Sequence, residues 1–187
     1  GLYSAVLYLL LPITVYHLVW RGFRVREYFQ RWDERYASYP DSSCQPRVWL
    51  HAVSVGEVIA ATPLIQQLQQ QYPGKSITVT CTTPTGSTTI QSRFDNSVQH
   101  CYLPLDYPGA VRRFLTALQP ELLVILETEL WPNLLAGCAK RAIPVVVVNA
   151  RLSARSAKGY RRFAALTKPL LGNISLLLTQ DKASSQR

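Results

Sequence analysis

Apolar residues beyond residue 40 follow two alternating patterns along the chain. Short runs rich in Val, Leu and Thr predict six strands, at residues 48–53, 76–82, 98–103, 122–127, 144–149 and 175–179. Helical spacing predicts helices between them, at residues 57–71, 87–93, 110–118, 133–141 and 154–171. Runs such as LLVIL and VVVV are apolar on both faces, which is typical of central parallel strands covered by helices. The pattern therefore predicts an α/β fold with a Rossmann-like, doubly wound parallel sheet.

The first forty residues depart from this pattern. Residues 2–20 carry no formal charge and, interrupted by Pro12, reach the lower limit of the roughly 20 apolar residues of a membrane-spanning helix. Five arginines then alternate with aromatic residues, which suits an anionic lipid surface: Arg21, Arg24, Arg26, Arg31 and Arg35. We expect residues 1–40 to form a membrane-anchoring helix and an interfacial segment; the alternative is an apolar helix packed on the domain. A turn-rich linker at residues 41–46 precedes the predicted domain, residues 47–187.

The formal net charge of +9 is concentrated in one part of the chain. Residues 131–179 contain eight basic residues and no acidic one. The ordinary interpretation is a solvated basic helix face, and the sharper one is an anionic partner such as an acidic membrane or a phosphorylated substrate. Nucleic acid ranks last, because no RNA- or DNA-binding motif accompanies the charge. The four cysteines and three histidines lack metal-ligand spacing, so the sequence predicts no metal site.

The loop after the first predicted strand, HAVSVGE at residues 51–57, places a carboxylate at a helix start. Ser54 and Glu57 have the spacing of a capping box, in which the two side chains only satisfy the first turn of the helix. In the functional interpretation, Gly56 lets a substrate approach the backbone and Glu57 acts as a base in a cleft. The positive end of the helix dipole is expected to keep Glu57 ionised at neutral pH.

Two further loops carry candidate binding or catalytic groups, and each has a structural alternative. Thr85, Gly86 and Ser87 at the next helix start suit an anion or a sugar, or else they form an ordinary capped turn. Glu127 and Glu129 follow a central strand. They share one face of a cleft if the strand continues through them, or else they serve as partners of a helix dipole.

The loop at residues 149–156 leads into the basic segment. Arg151 and Arg155 near its helix start suit a phosphate group, or else they are solvated residues of a helix capped by Ser153. The loop at residues 103–108 is expected to be mainly structural. The sequence contains no GxGxxG, GxxxxGK(S/T) or GxSxG motif, so the usual dinucleotide, ATP-phosphate and serine-hydrolase interpretations lose their main support.

Five segments together resemble, in order and spacing, the N-terminal half of the lipid A Kdo transferases (3-deoxy-D-manno-octulosonic acid transferases): HAVSVGE, TVTCTTPTGS, LPLDYPGAVRRFL, ETELWPN and NARLSARSAKGY. The resemblance runs from the N-terminus to about residue 180. It implies a GT-B glycosyltransferase with two Rossmann-like domains, of which this chain supplies the acceptor domain. It also implies a metal-independent, inverting transfer of Kdo from CMP-Kdo to a lipid A precursor (lipid IVA) in lipopolysaccharide biosynthesis. It further implies that the reaction needs no cofactor and takes place at the cytoplasmic face of the bacterial inner membrane.

Carried onto this sequence, the resemblance implies that Glu57 is the general base on the acceptor hydroxyl and that Glu127 helps to stabilise the transition state. The residues that bind CMP lie in or near the C-terminal half of such enzymes and match no position here, so we expect this chain alone to be inactive. The acceptor is expected to contact Ser54, Gly56, Thr85, Gly86, Ser87, Arg151 and Arg155. The alternatives are a GT-B transferase with another acidic sugar donor and a non-catalytic module that binds anionic lipid.

Overall fold

The computed structural model describes residues 2–37, 48–162 and 164–185. Its strands are β1 (Val48–His51), β2 (Ile77–Cys81), β3 (Gln99–Tyr102), β4 (Leu122–Leu126), β5 (Val145–Ala150) and β6 (Leu176–Thr179). They form one sheet in the order β3-β2-β1-β4-β5-β6, and all five strand pairs are parallel. The six predicted strands and the doubly wound parallel sheet are confirmed, with strand ends that differ from the prediction by at most two residues.

Helices join the strands and precede them. Those of the domain are α4 (Val55–Gln71), α5 (Pro84–Phe94), α6 (Pro108–Leu118), α7 (Pro132–Lys140), α8 (Ala154–Arg162), α9 (Ala164–Leu171) and α10 (Lys182–Ser185). The N-terminal ones are α1 (Leu2–Leu9), α2 (Leu11–Arg24) and α3 (Trp32–Arg35), with a 3₁₀ turn at Arg26–Phe29. The helix predicted at residues 154–171 is confirmed in its described parts, α8 and α9, and residue 163 lies outside the described residues.

The core consists of two apolar layers, one on each face of the sheet. Because successive strand residues point to opposite faces, neighbouring residues of β1 enter different layers. Trp49 packs with α6 and α7, and its ring lies 4.9 Å from that of Phe114. Leu50 packs on the other face with Val58 of α4 and Ile90 of α5. Helices on both faces explain why β4 (LLVIL) and the VVVV run of β5 are apolar throughout.

The expected single membrane-anchoring helix is not confirmed. The segment forms α1 and α2, which meet at an angle of 54° on either side of Leu10. Pro12 lies in the first turn of α2, where its missing N–H costs no helical hydrogen bond. Within the described residues no single helix is long and apolar enough to cross a bilayer, while the bent pair meets that requirement by length and composition. The predicted linker at residues 41–46 lies outside the described residues.

Helix α1 is packed on the domain, as the alternative interpretation expected. The Tyr3 hydroxyl donates to Asp106 Oδ2 at 3.0 Å, and the Ser4 hydroxyl donates to Asn133 Oδ1 at 3.0 Å. The rest of the helix pair still exposes large apolar side chains: Val6, Tyr8, Leu9, Ile13, Tyr16, Trp20 and Phe23. The N-terminal segment is therefore attached to the domain and at the same time presents an apolar surface.

Two of the five arginines expected to face lipid point into the domain instead. Arg31 forms a bidentate ion pair with Glu34, with N–O distances of 2.6 and 2.8 Å, and donates to the Ser87 hydroxyl at 3.2 Å. Arg35 is only 4% exposed, and its guanidinium carbon lies 4.3 Å from the centroid of the Tyr102 ring. The lipid-facing prediction is wrong for these two residues, because an acidic partner and an aromatic ring hold them inside. It stays a prediction for the three exposed arginines upstream.

Candidate active site

The predicted site residues lie along the carboxyl edge of the sheet. The loops that carry them follow β2, β1, β4 and β5, which are four consecutive strands in the sheet. The strand order reverses between β1 and β4, and ligands of doubly wound sheets bind in the crevice at such a switch point. Glu57 follows β1 and Glu127 follows β4, so the two candidate catalytic carboxylates flank this crevice.

Glu57 lies at the first turn of α4 and is only 7% exposed. Its Oε2 accepts the Val53 amide at 2.8 Å, and its Oε1 accepts the Ser54 hydroxyl at 2.9 Å. The Ser54 oxygen in turn accepts the Glu57 amide at 3.4 Å and caps the helix. The Ser54 cap is thus confirmed, although Glu57 reaches back to the Val53 amide, one residue before the Ser54 amide of a regular capping box. These bonds hold the carboxylate in one orientation; the base role of Glu57 stays a prediction.

Burial raises the pKa of Glu57 above its ordinary value, and the charges of Glu127 and Glu129 raise it further. The hydrogen bonds from Val53 and Ser54 oppose this shift, because they stabilise the ionised carboxylate. The direction is opposite to the one expected from the helix dipole alone. A raised pKa makes the carboxylate a stronger proton acceptor, which suits a general base.

Glu127 differs from Glu57 in being exposed and in having a strained backbone. Its φ of 60° lies in the left-handed region, where a non-glycine residue costs about 1–2 kcal/mol. Its amide donates to the Val148 carbonyl at 2.9 Å, which fixes the turn after β4. Asn149, at the end of the neighbouring strand, also has a left-handed backbone, with φ of 57°. Strain at two adjacent strand ends marks this part of the edge as a candidate functional region.

The TPTGS loop contributes one exposed and two buried members of the predicted set. Thr85 is exposed in the first turn of α5. Gly86 is buried, and an added Cβ there would lie 2.9 Å from Thr83 Oγ1. Ser87 is buried and its oxygen lies 2.7 Å from His100 Nε2. Gly56, in contrast, is exposed, and an added Cβ would meet only Ser54 Oγ at 3.9 Å, which leaves space for a ligand.

The loop after β5 contributes exposed positive charge. Arg151 is exposed, and its carbonyl accepts the Thr128 hydroxyl at 3.5 Å, which joins the loops after β4 and β5. Arg155 belongs to the first turns of α8, but its side chain lies outside the described part of the structure. The predicted contacts of both arginines with phosphate or an acidic sugar stay predictions.

Two histidines near this edge have structural roles. His100 Nδ1 lies 2.8 Å from the Val79 carbonyl, so it carries the proton and Nε2 accepts the Ser87 hydroxyl. His51 is fully buried, with Nδ1 2.9 Å from Thr80 Oγ1, and burial lowers its pKa to about 4. Both rings are neutral at neutral pH, because burial also lowers the pKa of His100. A lowered pKa makes both imidazoles weaker proton acceptors, and both nitrogens of His100 are already hydrogen-bonded, so Glu57 is the better candidate for a base.

The loop after β3 is structural, as expected, through a residue that the sequence did not single out. Asp106 is buried and caps the start of α7, because its two oxygens accept the Asn133 amide at 3.0 Å and the Leu134 amide at 2.9 Å. Burial raises its pKa to about 6 despite these bonds. Since it also accepts the Tyr3 hydroxyl, it joins α1, the loop after β3 and α7.

A pocket of about 340 Å³ opens beside the loop after β4. It lies between the ends of β5 and β6 and helices α8 and α9, and Thr128 and Leu130 form part of its wall. Most of its lining is apolar, with Tyr160 and Lys168 among the polar contributions. The β4–β6 side of the edge thus has an open, apolar surface, whereas the Glu57 side is filled by hydrogen-bonded loops.

The parallel sheet, its covering helices and the two carboxylates at the switch point fit a Rossmann-like glycosyltransferase fold. In the described residues, no group of three or more His, Cys, Asp or Glu side chains is arranged to hold a metal ion. A family model described as 3-deoxy-D-manno-octulosonic-acid transferase (kdotransferase) matches residues 30–187. The chain therefore belongs to the Kdo transferase family.

Individual relatives agree with this family. The 3-deoxy-D-manno-octulosonic acid transferase of Haemophilus influenzae is 46% identical over 187 residues, which cover 99% of this chain and 44% of the relative. The protein of the same description from Bordetella pertussis is 36% identical over 145 residues, or 75% of this chain and 33% of the relative. The chain thus spans less than half the length of either relative.

Proposed function

We propose that this chain is the acceptor-side domain of a GT-B glycosyltransferase that transfers Kdo from CMP-Kdo to a lipid A precursor, lipid IVA, in lipopolysaccharide biosynthesis. The observation that supports this proposal most is Glu57. Its carboxylate is buried, held in one orientation and raised in pKa, and it lies at the switch point of the sheet. Family membership supports the transferase class. The donor, the acceptor and the stereochemistry rest on the likeness of the five loops to this family.

In the proposed reaction, Glu57 accepts the proton of an acceptor hydroxyl as that oxygen attacks the anomeric carbon of Kdo. The new carbon–oxygen bond forms as the bond to the CMP phosphate breaks, and its electron pair leaves with CMP. Attack from the face opposite CMP inverts the anomeric centre. The negative charge of Glu127 across the crevice stabilises positive charge that develops on the sugar ring. This scheme uses neither a metal ion nor a cofactor.

The acceptor is proposed to lie over the exposed first turns of α4 and α5. Gly56 and Thr85 are accessible there, while Ser54 holds the base and Gly86 and Ser87 shape the loop from below. The sugar backbone of a lipid A precursor carries phosphates, and the exposed Arg151 in the loop after β5, with Arg155 of α8, would bind them as charge-assisted partners.

The apolar surface of α1 and α2 is proposed to rest on the anionic cytoplasmic face of the inner membrane. Arg21 and Arg24 are exposed beside it. The Arg24 guanidinium carbon lies 4.0 Å from the centroid of the Trp20 ring, and this arrangement suits the lipid headgroup region. Because α1 also bonds to Asp106 at the carboxyl edge, a membrane-bound helix pair would keep the crevice near a lipid-linked acceptor.

The catalytic proposal is tested by Glu57→Gln in a full-length protein that carries this chain. The variant keeps the size of the side chain but cannot accept the proton, so kcat should fall by roughly 10²–10⁴-fold, the usual contribution of a general base. Binding of lipid IVA, measured by titration, should stay close to wild type. Transfer is measured with CMP-Kdo and compared with UDP-sugars.

Glu121→Gln is the matched control, because Glu121 is an exposed residue directly before β4, at the other end of that strand. It should retain wild-type transfer. Wild-type turnover by Glu57→Gln would contradict the base assignment. Binding of anionic lipid without transfer by the wild-type protein would favour the non-catalytic module, and turnover with another acidic sugar donor in place of CMP-Kdo would favour the alternative transferase.

The membrane proposal is tested by binding to vesicles that contain anionic lipid. Arg21→Gln and Arg24→Gln should each weaken binding about fivefold, because one arginine near such a surface contributes about 1 kcal/mol. Arg93→Gln, on the exposed face of α5, is the control and should bind like wild type. Equal binding by all four proteins would contradict the proposed membrane surface.

A further inference from the structure

Val53 lies between the candidate base and the neighbouring loop. Its amide donates to Glu57 Oε2 at 2.8 Å, and its carbonyl accepts the Thr83 hydroxyl at 3.2 Å. The same hydroxyl oxygen accepts the Gly86 amide at 3.1 Å, so Thr83 acts as a donor and an acceptor at once. One side chain thus links the first turn of α5 to the residue that orients Glu57.

The hydrogen bond between Thr83 and Val53 extends the pairing of β1 with β2 beyond the end of the two strands. The Ala52 amide still donates to the Thr80 carbonyl at 2.9 Å, as in the parallel ladder. The chain then turns towards α4, and the Val53 carbonyl receives its hydrogen bond from a side chain, that of Thr83. A half-buried carbonyl needs such a partner, because leaving it unpaired is unfavourable.

Close packing holds the same contact in place. A Cβ added to Gly86 would lie 2.9 Å from Thr83 Oγ1, 3.4 Å from the Cβ of Cys81 and 3.5 Å from the Val53 carbonyl oxygen. The first turn of α5 therefore lies directly against Val53, and glycine is needed for this approach. Thr83 cannot move away from Val53 without moving the start of α5.

We propose that Thr83 is a positioning residue for Glu57: its hydroxyl fixes Val53, and Val53 fixes the carboxylate. The inference rests on the proposed base role of Glu57. Without the Thr83 bond, the turn at Val53 is free to shift, and Glu57 Oε2 loses the alignment of its backbone donor. Displacing a reacting group by about 1 Å can cost up to 10²-fold in rate, so a partial loss is expected here.

Three substitutions separate the functions of the Thr83 side chain in a full-length protein that carries this chain. Thr83→Ser keeps the donor and the helix cap, and Thr83→Val removes both. Thr83→Asp keeps an acceptor for the Gly86 amide, but its carboxylate cannot donate to the Val53 carbonyl. The control is Thr88→Val on the same helix, which removes a hydroxyl that donates to the Pro84 carbonyl at 3.2 Å.

We expect kcat to fall about tenfold in Thr83→Val and Thr83→Asp, with the acceptor KM near wild type, and to be unchanged in Thr83→Ser and Thr88→Val. The pH profile provides a second readout, since the Val53 bond lowers the pKa of Glu57 against burial and the charges of Glu127 and Glu129. Losing that bond should move the acid limb of kcat/KM to higher pH in Thr83→Val. A purely structural role would not move it.

The outcomes distinguish this inference from the proposed function. If Glu57→Gln is inactive but folded Thr83→Val keeps the wild-type kcat and acid limb, only the positioning role is wrong. If Glu57→Gln transfers Kdo normally, the base assignment itself fails. Should Thr83→Val not fold, Thr83→Asp decides, and its wild-type kcat would overturn the inference. If kcat fell in Thr83→Ser or Thr88→Val as much as in Thr83→Val, the inference would also be overturned, because the hydroxyl that donates to Val53 would then not be the cause of the loss.

Discussion

The two halves of the carboxyl edge are built differently, although both belong to one parallel sheet. On the β1–β2 side, the loops are held by side-chain hydrogen bonds, and Glu57 is buried with both oxygens occupied. On the β4–β5 side, Glu127 and Asn149 have left-handed backbones, and Glu127 and Arg151 are exposed. The outermost strand, β6, is half-exposed along most of its length.

This difference suits two tasks in one crevice. A base must be held in one orientation and kept from water, which the β1–β2 side provides. We propose that the β4–β5 side binds substrate, because Glu127, Arg151 and the apolar pocket beside Thr128 are accessible there. We expect the open half to supply most of the substrate contacts. In stability the contrast is a different one, because Leu123 of β4 and Val145 of β5 are as fully buried as Leu50 of β1, whereas the edge strand β6 is half-exposed.

The largest effect expected from this comparison is on folding. Leu50 of β1 is fully buried and Leu177 of β6 is 49% exposed, so the same change can be made in both halves. Leu50→Ala should lower the free energy of unfolding by about 3–5 kcal/mol, and Leu177→Ala by about 1 kcal/mol or less. Urea denaturation measures both. Similar losses would mean that the central strand β1 and the edge strand β6 do not differ in packing.

A smaller effect on the free energy of unfolding is expected from Asp106, which connects the loop after β3 to the start of α7. Its folded pKa of about 6 lies above the ordinary 3.8, so the folded chain keeps this proton to higher pH than the unfolded chain does. The stability that Asp106 contributes is complete below about pH 4 and is lost as the pH rises through about 6.

Asp106→Asn tests whether the stability that Asp106 contributes decreases as the pH rises. The free energy of unfolding of wild type minus that of the variant should decrease by about 1–3 kcal/mol between about pH 4 and pH 6.5. Urea denaturation of both proteins at each pH cancels the titration of the other groups. An increase over this range would show that the hydrogen bonds from Asn133 and Leu134 outweigh burial and lower the pKa instead.

The smallest effect concerns the strained backbone of Glu127. Glycine adopts left-handed angles freely, so Glu127→Gly should raise the free energy of unfolding by about 0.5 kcal/mol after the entropy cost of glycine. Glu129→Gly, at a position where φ is not positive, should lower it by about 0.5–1 kcal/mol. A gain in the free energy of unfolding for Glu127→Gly together with a loss for Glu129→Gly would support backbone strain at Glu127. Equal losses would contradict it.

The sheet and the grouping of the candidate site residues at one edge were predictable because they depend on local patterns. Each strand is indicated by its own run of apolar residues, and parallel strands bring their carboxyl ends to one edge of the sheet. Glu57 and Glu127 both follow apolar runs, so their approach follows once the strand order is known. Their catalytic roles stay predictions.

Contacts between distant segments were not predictable in the same way. Thr83 bonds to Val53 30 residues away, and Asp106 caps α7 27 residues away, so neither role shows in local spacing. The inward position of Arg31 depends on Glu34 and on the Ser87 hydroxyl 56 residues along the chain. The direction of the pKa shift of Glu57 was not predictable either, because it depends on burial and on the charges of Glu127 and Glu129, which local sequence does not show.

The exposed strand β6 affects how the purified chain behaves in solution. It lies at the edge of the sheet and carries three consecutive leucines, each about half-exposed: Leu176, Leu177 and Leu178. An apolar edge strand is a template on which another extended segment can add, and proteins usually protect such edges with lysine, proline or a covering element. Purified alone and concentrated, this chain should therefore self-associate through β6, and a lysine in place of Leu178 should keep it dispersed.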